Sequence, residues 1–220
     1  MPIVLVAVTY CQYPIRSHLG DLGWEILCVM LALGGFAIRV VTVGFAAPGT
    51  SGRNTRAQKA RTLNTTGPYS VVRHPLYLAN SVIAVALSLF PHTWAAPPAV
   101  AALALAYYAV IARREEAFLQ ERFGAAFDVW AERVPPVVPD VTRWVPPDRP
   151  FQWRAVVRRE FYAFALILVM PLGLDTIEDL VEDGVLDLDV PWLVLAALGA
   201  LSFVALRHVK KRTTWLEPRS

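Results

Sequence analysis

The residues best able to do chemistry fall in two short stretches. The first runs Gly67-Pro68-Tyr69-Ser70-Val71-Val72-Arg73-His74-Pro75-Leu76-Tyr77-Leu78-Ala79-Asn80. Gly67 and Pro68 form a turn signal. Pro75 suits the first turn of a helix, where its missing N–H costs nothing. A helix starting there aims free N–H groups and the positive dipole end at whatever lies before it, which suits an anionic ligand group. Arg73 and His74 add donors, and Tyr69 and Tyr77 add flat apolar faces with polar tips. A plainer reading makes Arg73 and His74 interfacial anchors and the tyrosines part of an aromatic belt. The second stretch is Arg113-Arg114-Glu115-Glu116. Its adjacent carboxylates could bind hydroxyls or an ammonium. Taken without further context, a solvated charge cluster with local Arg–Glu pairs is the favoured reading. Arg39 is the third candidate, because it interrupts a long apolar run. An ionisable group there is functional by default, or a snorkelling arginine.

The elements that must position these residues read as membrane helices. Hydrophobic residues make up 55% of the 220-residue chain and charged ones 18%, below the roughly 25% typical of soluble domains. A bilayer core about 30 Å thick needs about 20 apolar residues per helix. Five apolar runs are candidates: Trp24–Val43, Leu76–Phe90, Trp94–Ile111, Phe161–Leu174 and Val190–Leu206. Backbone polar groups need partners in lipid, so helices are the expected solution.

The connecting segments alternate in charge. Arg53, Arg56, Lys59, Arg61 and Arg73 lie between runs one and two, whereas Pro91-His92-Thr93 between runs two and three carries no Lys or Arg. Nine arginines from Arg113 to Arg159 follow run three. Asp175, Glu178, Asp179, Glu182, Asp183, Asp187 and Asp189 join runs four and five, and Arg207, Lys210, Lys211 and Arg212 close the chain. The positive-inside rule then places the N-terminus outside and the C-terminus in the cytosol. Met1–Tyr10 is apolar without a basic flank, so it reads as an interfacial or partly inserted segment rather than a signal peptide.

After run three, Phe118, Leu119, Phe123, Phe127, Trp130 and Val134 recur at helical spacing. That pattern predicts an amphipathic helix on the membrane surface, broken at Gly124 and ended by Pro135, Pro136 and Pro139. Val134–Pro150 reads as an ordered Pro-rich linker. Cys11 and Cys28 have no metal spacing and the four histidines are scattered, so no metal site is expected. No basic patch interleaved with aromatics suggests nucleic-acid binding.

Taken together, Gly67-x-Tyr69-x-x-x-Arg73-His74-Pro75-x-Tyr77, an apolar hairpin, and Glu115-Glu116-x-x-Leu119-x-x-x-Phe123-Gly124-x-x-Phe127-x-x-Trp130 resemble the isoprenylcysteine carboxyl methyltransferase family. That family is related to the membrane phospholipid methyltransferases. The resemblance covers roughly residues 24–139. It implies an all-α polytopic membrane enzyme with S-adenosylmethionine bound on the cytosolic side and an opening to lipid for the acceptor. It implies that Gly67, Tyr69, His74, Pro75, Tyr77, Glu115 and Glu116 line or support the cofactor site. Arg73 and Arg39 would sit nearer the acceptor head group, with Glu116 also in a catalytic role. Ala79 stands where the family often has Gly, and Phe127 and Trp130 where tyrosines are common. The Asn64-Thr65-Thr66 lead-in and the stretch from Trp153 to Phe161 are similar to a bacterial branch of lipid A phosphate methyltransferases.

The expected organisation is therefore a methyltransferase core over residues 1–150 and a C-terminal transmembrane hairpin over 151–220, in a bacterial inner membrane. The acceptor would be an oxygen of a lipid or lipidated substrate. An amine acceptor, or a non-catalytic transporter or assembly protein, are the other readings.

Overall fold

Long apolar stretches with few breakers dictate what forms. The structure, a computed structural model, describes residues 18–47, 60, 62–182, 184, 188–213 and 215–216. Seven α-helices are seen among them: α1 (His18–Phe45), α2 (Pro68–Val71), α3 (Pro75–Ser88), α4 (Ala96–Phe123), α5 (Ala125–Arg133), α6 (Trp153–Glu182) and α7 (Val190–Arg212). A single 3₁₀ turn covers Val141–Arg143. α1, α4, α6 and α7 contain segments long and apolar enough to cross a membrane. α3 is apolar but has only 14 residues, or roughly 21 Å at 1.5 Å per residue. The described residues are thus all-helical, with four helices long and apolar enough to cross a membrane. Met1–Tyr10, most of the basic segment around Arg53–Arg61, and Asp183 and Asp187 lie outside the described residues.

The five long helices form a row in which α4 packs on α3, α3 on α1, α1 on α6, and α6 on α7. Small residues set the spacing. A Cβ added to Gly35 of α1 would lie 2.8 Å from Ile83 Cγ1 and 3.0 Å from the Ala79 carbonyl oxygen. Ala79 is fully buried, so Gly35 on the facing helix supplies the room that Gly at position 79 would otherwise give. On the other side of the row, a Cβ on Gly199 of α7 would come 2.8 Å from Leu168 of α6. Gly35→Val is expected to destabilise the fold by about 1–3 kcal/mol through overpacking. Gly34→Val is the matched control, because nothing lies within 4 Å of its added Cβ. Equal thermal midpoints for the two variants in detergent would refute this packing.

Two helices run further than their apolar cores suggested. α6 was expected over 161–174, with the acidic residues in a following loop; instead it spans Trp153–Glu182 and carries Asp175, Glu178 and Asp179. Its charged ends can stay helical because the bundle partners them: Glu160 meets Arg39 and Glu178 meets His92. Pro171 is accommodated inside α6 and fully buried. α4 likewise continues past Glu116 to Phe123, so the two carboxylates sit mid-helix, away from any C-terminal dipole.

Gly124, with φ of 52°, ends α4 and caps α5 in a conformation that favours glycine. α5 turns its apolar face into the protein: Phe127, Trp130 and Val134 are buried against Leu63, Tyr69, Leu119 and Phe123. The Pro-rich linker is ordered, as expected. It runs beneath α2 and the start of α3, bonded by Arg73 N–H to the Pro135 carbonyl at 2.9 Å, Asp140 N–H to Val71 at 2.9 Å and Gly67 N–H to Val145 at 2.9 Å. It reaches α1 where Gln152 N–H donates to the Gly44 carbonyl at 2.8 Å.

Candidate functional site

Gly67 opens the site region with φ of 59°, a backbone that glycine alone adopts readily. The close approach it permits is that of Pro147 from the linker, 3.3 Å from a hypothetical Cβ. Ser70 Oγ donates to the Gly67 carbonyl at 2.7 Å and accepts from Val145 N–H at 2.9 Å, fixing α2 against the linker. His74 then caps α3 through its carbonyl, which accepts from Tyr77 and Leu78 N–H at 3.1 Å each. Pro75 occupies the first turn.

This geometry delivers three side chains to α4. His74 Nε2 lies 2.9 Å from Glu116 Oε1, although the residues are 42 apart in sequence. Tyr77 Oη donates to Glu115 Oε2 at 2.6 Å. Arg73 Nη1 lies 3.4 Å from both oxygens of Glu116. Arg73 is itself held by the end of α5, donating through Nε to the Val134 carbonyl at 2.7 Å and through Nη2 to Ala131 at 2.6 Å. The partners of Glu115 and Glu116 are therefore across the helix pair. The neighbouring Arg113 and Arg114 are exposed.

Aromatic rings extend the constellation. His74 stacks on Tyr77 at 5.1 Å between centroids, and Tyr77 on Tyr108 at 4.8 Å. Tyr69 packs beside α5, and its carbonyl accepts from Trp130 Nε1 at 3.1 Å. A tyrosine in place of Trp130 would not carry this indole N–H. Burial, followed by the nearby Glu115 carboxylate, pushes the Tyr69 phenol well above its usual range, so it stays a neutral donor at any physiological pH.

Arg39 stands apart from this group. Its Nε and Nη2 donate to the two oxygens of Glu160 on α6, at 2.6 and 3.1 Å, and its Nη1 donates to Asn80 Oδ1 on α3. The Arg39 and Glu160 side chains are 14% and 4% exposed, so this is a buried bidentate pair and not a snorkelling arginine. Arg159 lies within electrostatic reach of Arg39, Glu160 and Tyr69.

Of the expected site residues, the fold brings Tyr69, Arg73, His74, Pro75, Tyr77, Glu115 and Glu116 together and places Gly67 beneath them. Sequence reasoning gave no role to Tyr108, Asn80 or Glu160, although the last two lie in stretches it singled out. Tyr108 had a signal, since it lies two helical turns before Glu115 on one face of α4. Asn80 follows Tyr77 by one turn on α3. Glu160 meets Arg39 only through the packing of α6 on α1.

With this geometry in place, comparison with known proteins is informative. Residues 24–126, which contain the first motif, the Glu115–Gly124 part of the second and Arg39, match the model of a family described as phospholipid methyltransferase. This segment is similar to the phospholipid methyltransferase family. The resemblance drawn from the two motifs thus agrees with the family match over this segment. The cobalt-zinc-cadmium resistance protein CzcN of Cupriavidus metallidurans is 39% identical to the chain over 114 residues, 50% of each chain. The nickel-cobalt-cadmium resistance protein NccN of Alcaligenes xylosoxydans xylosoxydans is 38% identical over 126 residues, 54% of this chain and 56% of its own. The chain therefore spans about half the length of the curated relatives it matches. No solved structure matches it.

Proposed function

We propose that the protein transfers a methyl group from S-adenosylmethionine to an anionic oxygen, phosphate or carboxylate, of a membrane-embedded lipid or lipidated substrate. The observation that carries this reading is the junction of His74, Arg73 and Tyr77 with Glu115 and Glu116, inside the family-matched segment. In this reading residues 1–150 form the methyltransferase core, residues 151–220 add a hairpin that braces it through Glu160, and the basic end of the bundle faces the cytosol of a bacterial inner membrane.

The side chains present suit the cofactor's chemistry. Glu115 and Glu116 would hold its ammonium or ribose hydroxyls. The N-terminal end of α3, with His74, would hold its carboxylate. The stacked Tyr77 and Tyr108 offer aromatic surface for an adenine ring or a cationic sulfur. When bound, S-adenosylmethionine supplies an electrophilic methyl on a positively charged sulfur. The protein's work is then to align donor and acceptor in line and to keep water out. Arg73, and Arg39 held by Glu160, would face the acceptor's negative head group.

The state of the two carboxylates supports an oxygen acceptor over an amine. In this reading Glu116 is taken up by Arg73, His74 and the cofactor, and Glu115 by Tyr77 and the cofactor, which leaves neither as the base for deprotonating an amine. A phosphate or carboxylate oxygen needs no base. Methyl esterification would also remove one negative charge from the membrane surface and lessen its electrostatic pull on cations. That is a physical route by which such an enzyme could serve the metal resistance named in its relatives.

The test is incubation of the purified chain with methyl-labelled S-adenosylmethionine and native lipid extract. Label is expected in one acidic lipid fraction, with a mass gain of one methylene on that species. Label only in amine-bearing lipids would turn the assignment to N-methylation. No label and no cofactor binding would end the methyltransferase reading.

A further inference from the structure

The foot of the C-terminal hairpin, where α6 starts and α7 ends, carries a cluster that the methyl-transfer site does not use. Residues 153–159 and 207–220 hold eight Lys or Arg against one acidic residue, Glu217. Three rings join the two helices there. Phe161 and Tyr162 of α6 meet Phe203 of α7 at 5.6 and 5.4 Å between centroids. Cations sit on these rings. Lys210 Nζ lies 5.2 Å from the centroids of both Phe161 and Tyr162, and it donates to the Arg158 carbonyl at 3.0 Å. The Arg207 guanidinium lies 5.8 Å from Phe203. Two turns before Phe161 on α6, Trp153 meets Trp215 edge to face at 5.2 Å. The Arg154 guanidinium lies 5.2 and 6.0 Å from those two indoles.

Ring contact places these cations without neutralising them. A π face carries no net charge, so each guanidinium or ammonium keeps its own charge and most of its N–H donors. Among the described residues no carboxylate pairs with Arg154, Arg207 or Lys210. Trp153 and Trp215 are exposed, at the ends of two helices long and apolar enough to cross a membrane. Indoles so placed belong at the level of the lipid headgroups. We propose that this foot binds the headgroup of an acidic phospholipid, with Arg154, Arg207 and Lys210 facing its phosphate and Trp153 and Trp215 lying against the glycerol. Charge complementarity calls for an anion, and the exposed indoles beside the cations make that anion a lipid. Helix α7 closes the row at the end away from α4 and its carboxylates, so this lipid is not the methyl acceptor, and the site stands whether or not the methyl-transfer reading does. Bound there, the headgroup clamps α7 to α6 beside Glu160, the partner of Arg39.

The experiment uses the full chain, delipidated in uncharged detergent at constant pH and ionic strength. Dioleoyl phosphatidylglycerol, dioleoyl phosphatidylcholine and inorganic phosphate are titrated separately, reading equilibrium binding and the thermal midpoint. Saturable binding of phosphatidylglycerol with a raised midpoint is expected, with no comparable response to the other two. A basic residue beside an anionic lipid is worth about fivefold in affinity, so Arg154→Gln/Arg207→Gln/Lys210→Gln should weaken binding about 100-fold. If that variant does not fold, Arg154→Gln/Arg207→Gln, which keeps the Lys210 hydrogen bond, should weaken it about 25-fold. Arg113→Gln/Arg114→Gln/Arg122→Gln removes the same charge from exposed positions on α4 and should bind as wild type does. Equal weakening in the two triple variants would show a diffuse attraction with no site and overturn the proposal. So would phosphatidylcholine binding as tightly, or inorganic phosphate raising the midpoint as far, which would make the occupant a free anion.

Discussion

Glu116→Gln is expected to reduce S-adenosylmethionine affinity about 100-fold or more while leaving the chain folded. The reason lies in what the carboxylate holds. Glu116 fixes the His74 ring at 2.9 Å and faces the Arg73 guanidinium at 3.4 Å. A neutral amide keeps the volume but loses the negative charge toward both. Each charge-assisted hydrogen bond is worth about 1.5–3 kcal/mol, and 1.4 kcal/mol is tenfold in affinity. Folding should survive, because Arg73 keeps its bonds to the Val134 and Ala131 carbonyls. His74→Ala should have a similar effect by removing the ring that joins Glu116 to Tyr77. Arg114→Ala, at an exposed neighbour on α4, should change little. Equilibrium binding of labelled cofactor, with thermal unfolding in parallel, checks all three. Unchanged affinity in both Glu116→Gln and His74→Ala would move the cofactor site elsewhere.

Arg39→Met is expected to destabilise the protein by about 3–5 kcal/mol, the usual cost of leaving one half of a buried ion pair alone. Glu160, at 4% side-chain exposure, would keep its charge without a cation to meet it. The double variant Arg39→Met/Glu160→Leu removes both charges and should recover most of that loss. Unfolding in mixed detergent reads the stability difference. The same pair separates structure from function. If Arg39 also faces the acceptor, the double variant should fold well yet show a raised KM for lipid with cofactor binding intact. A single variant as stable as wild type would mean that the pair is not load-sharing between α1 and α6.

These two predictions draw on different depths of information. The sequence by itself determined the membrane class, because no soluble domain buries so much apolar surface in such long runs. It determined the two motif halves, because a Pro-led helix start after Arg73-His74 and a carboxylate pair on a helix are local patterns. It also located the ordered linker through its prolines. It did not determine where charged helices stop. α6 keeps Asp175, Glu178 and Asp179 within its helix, and α4 carries Glu115 and Glu116 two turns before its end. Apolar run length measures lipid contact, whereas a helix ends where its backbone loses support.

Partnership was the other matter that only tertiary structure decided. Arg39 read equally well as a functional group or a snorkelling side chain until α6 brought Glu160 to it, 121 residues away in sequence. Taken locally, Glu115 and Glu116 favoured a solvated cluster, and only the α3–α4 contact supplied Tyr77 and His74 as their partners. His92 and Glu178, 86 residues apart, gave no joint signal at all. A charge's role in a membrane protein depends on what faces it across a helix pair, and that is set by packing, which local spacing does not encode.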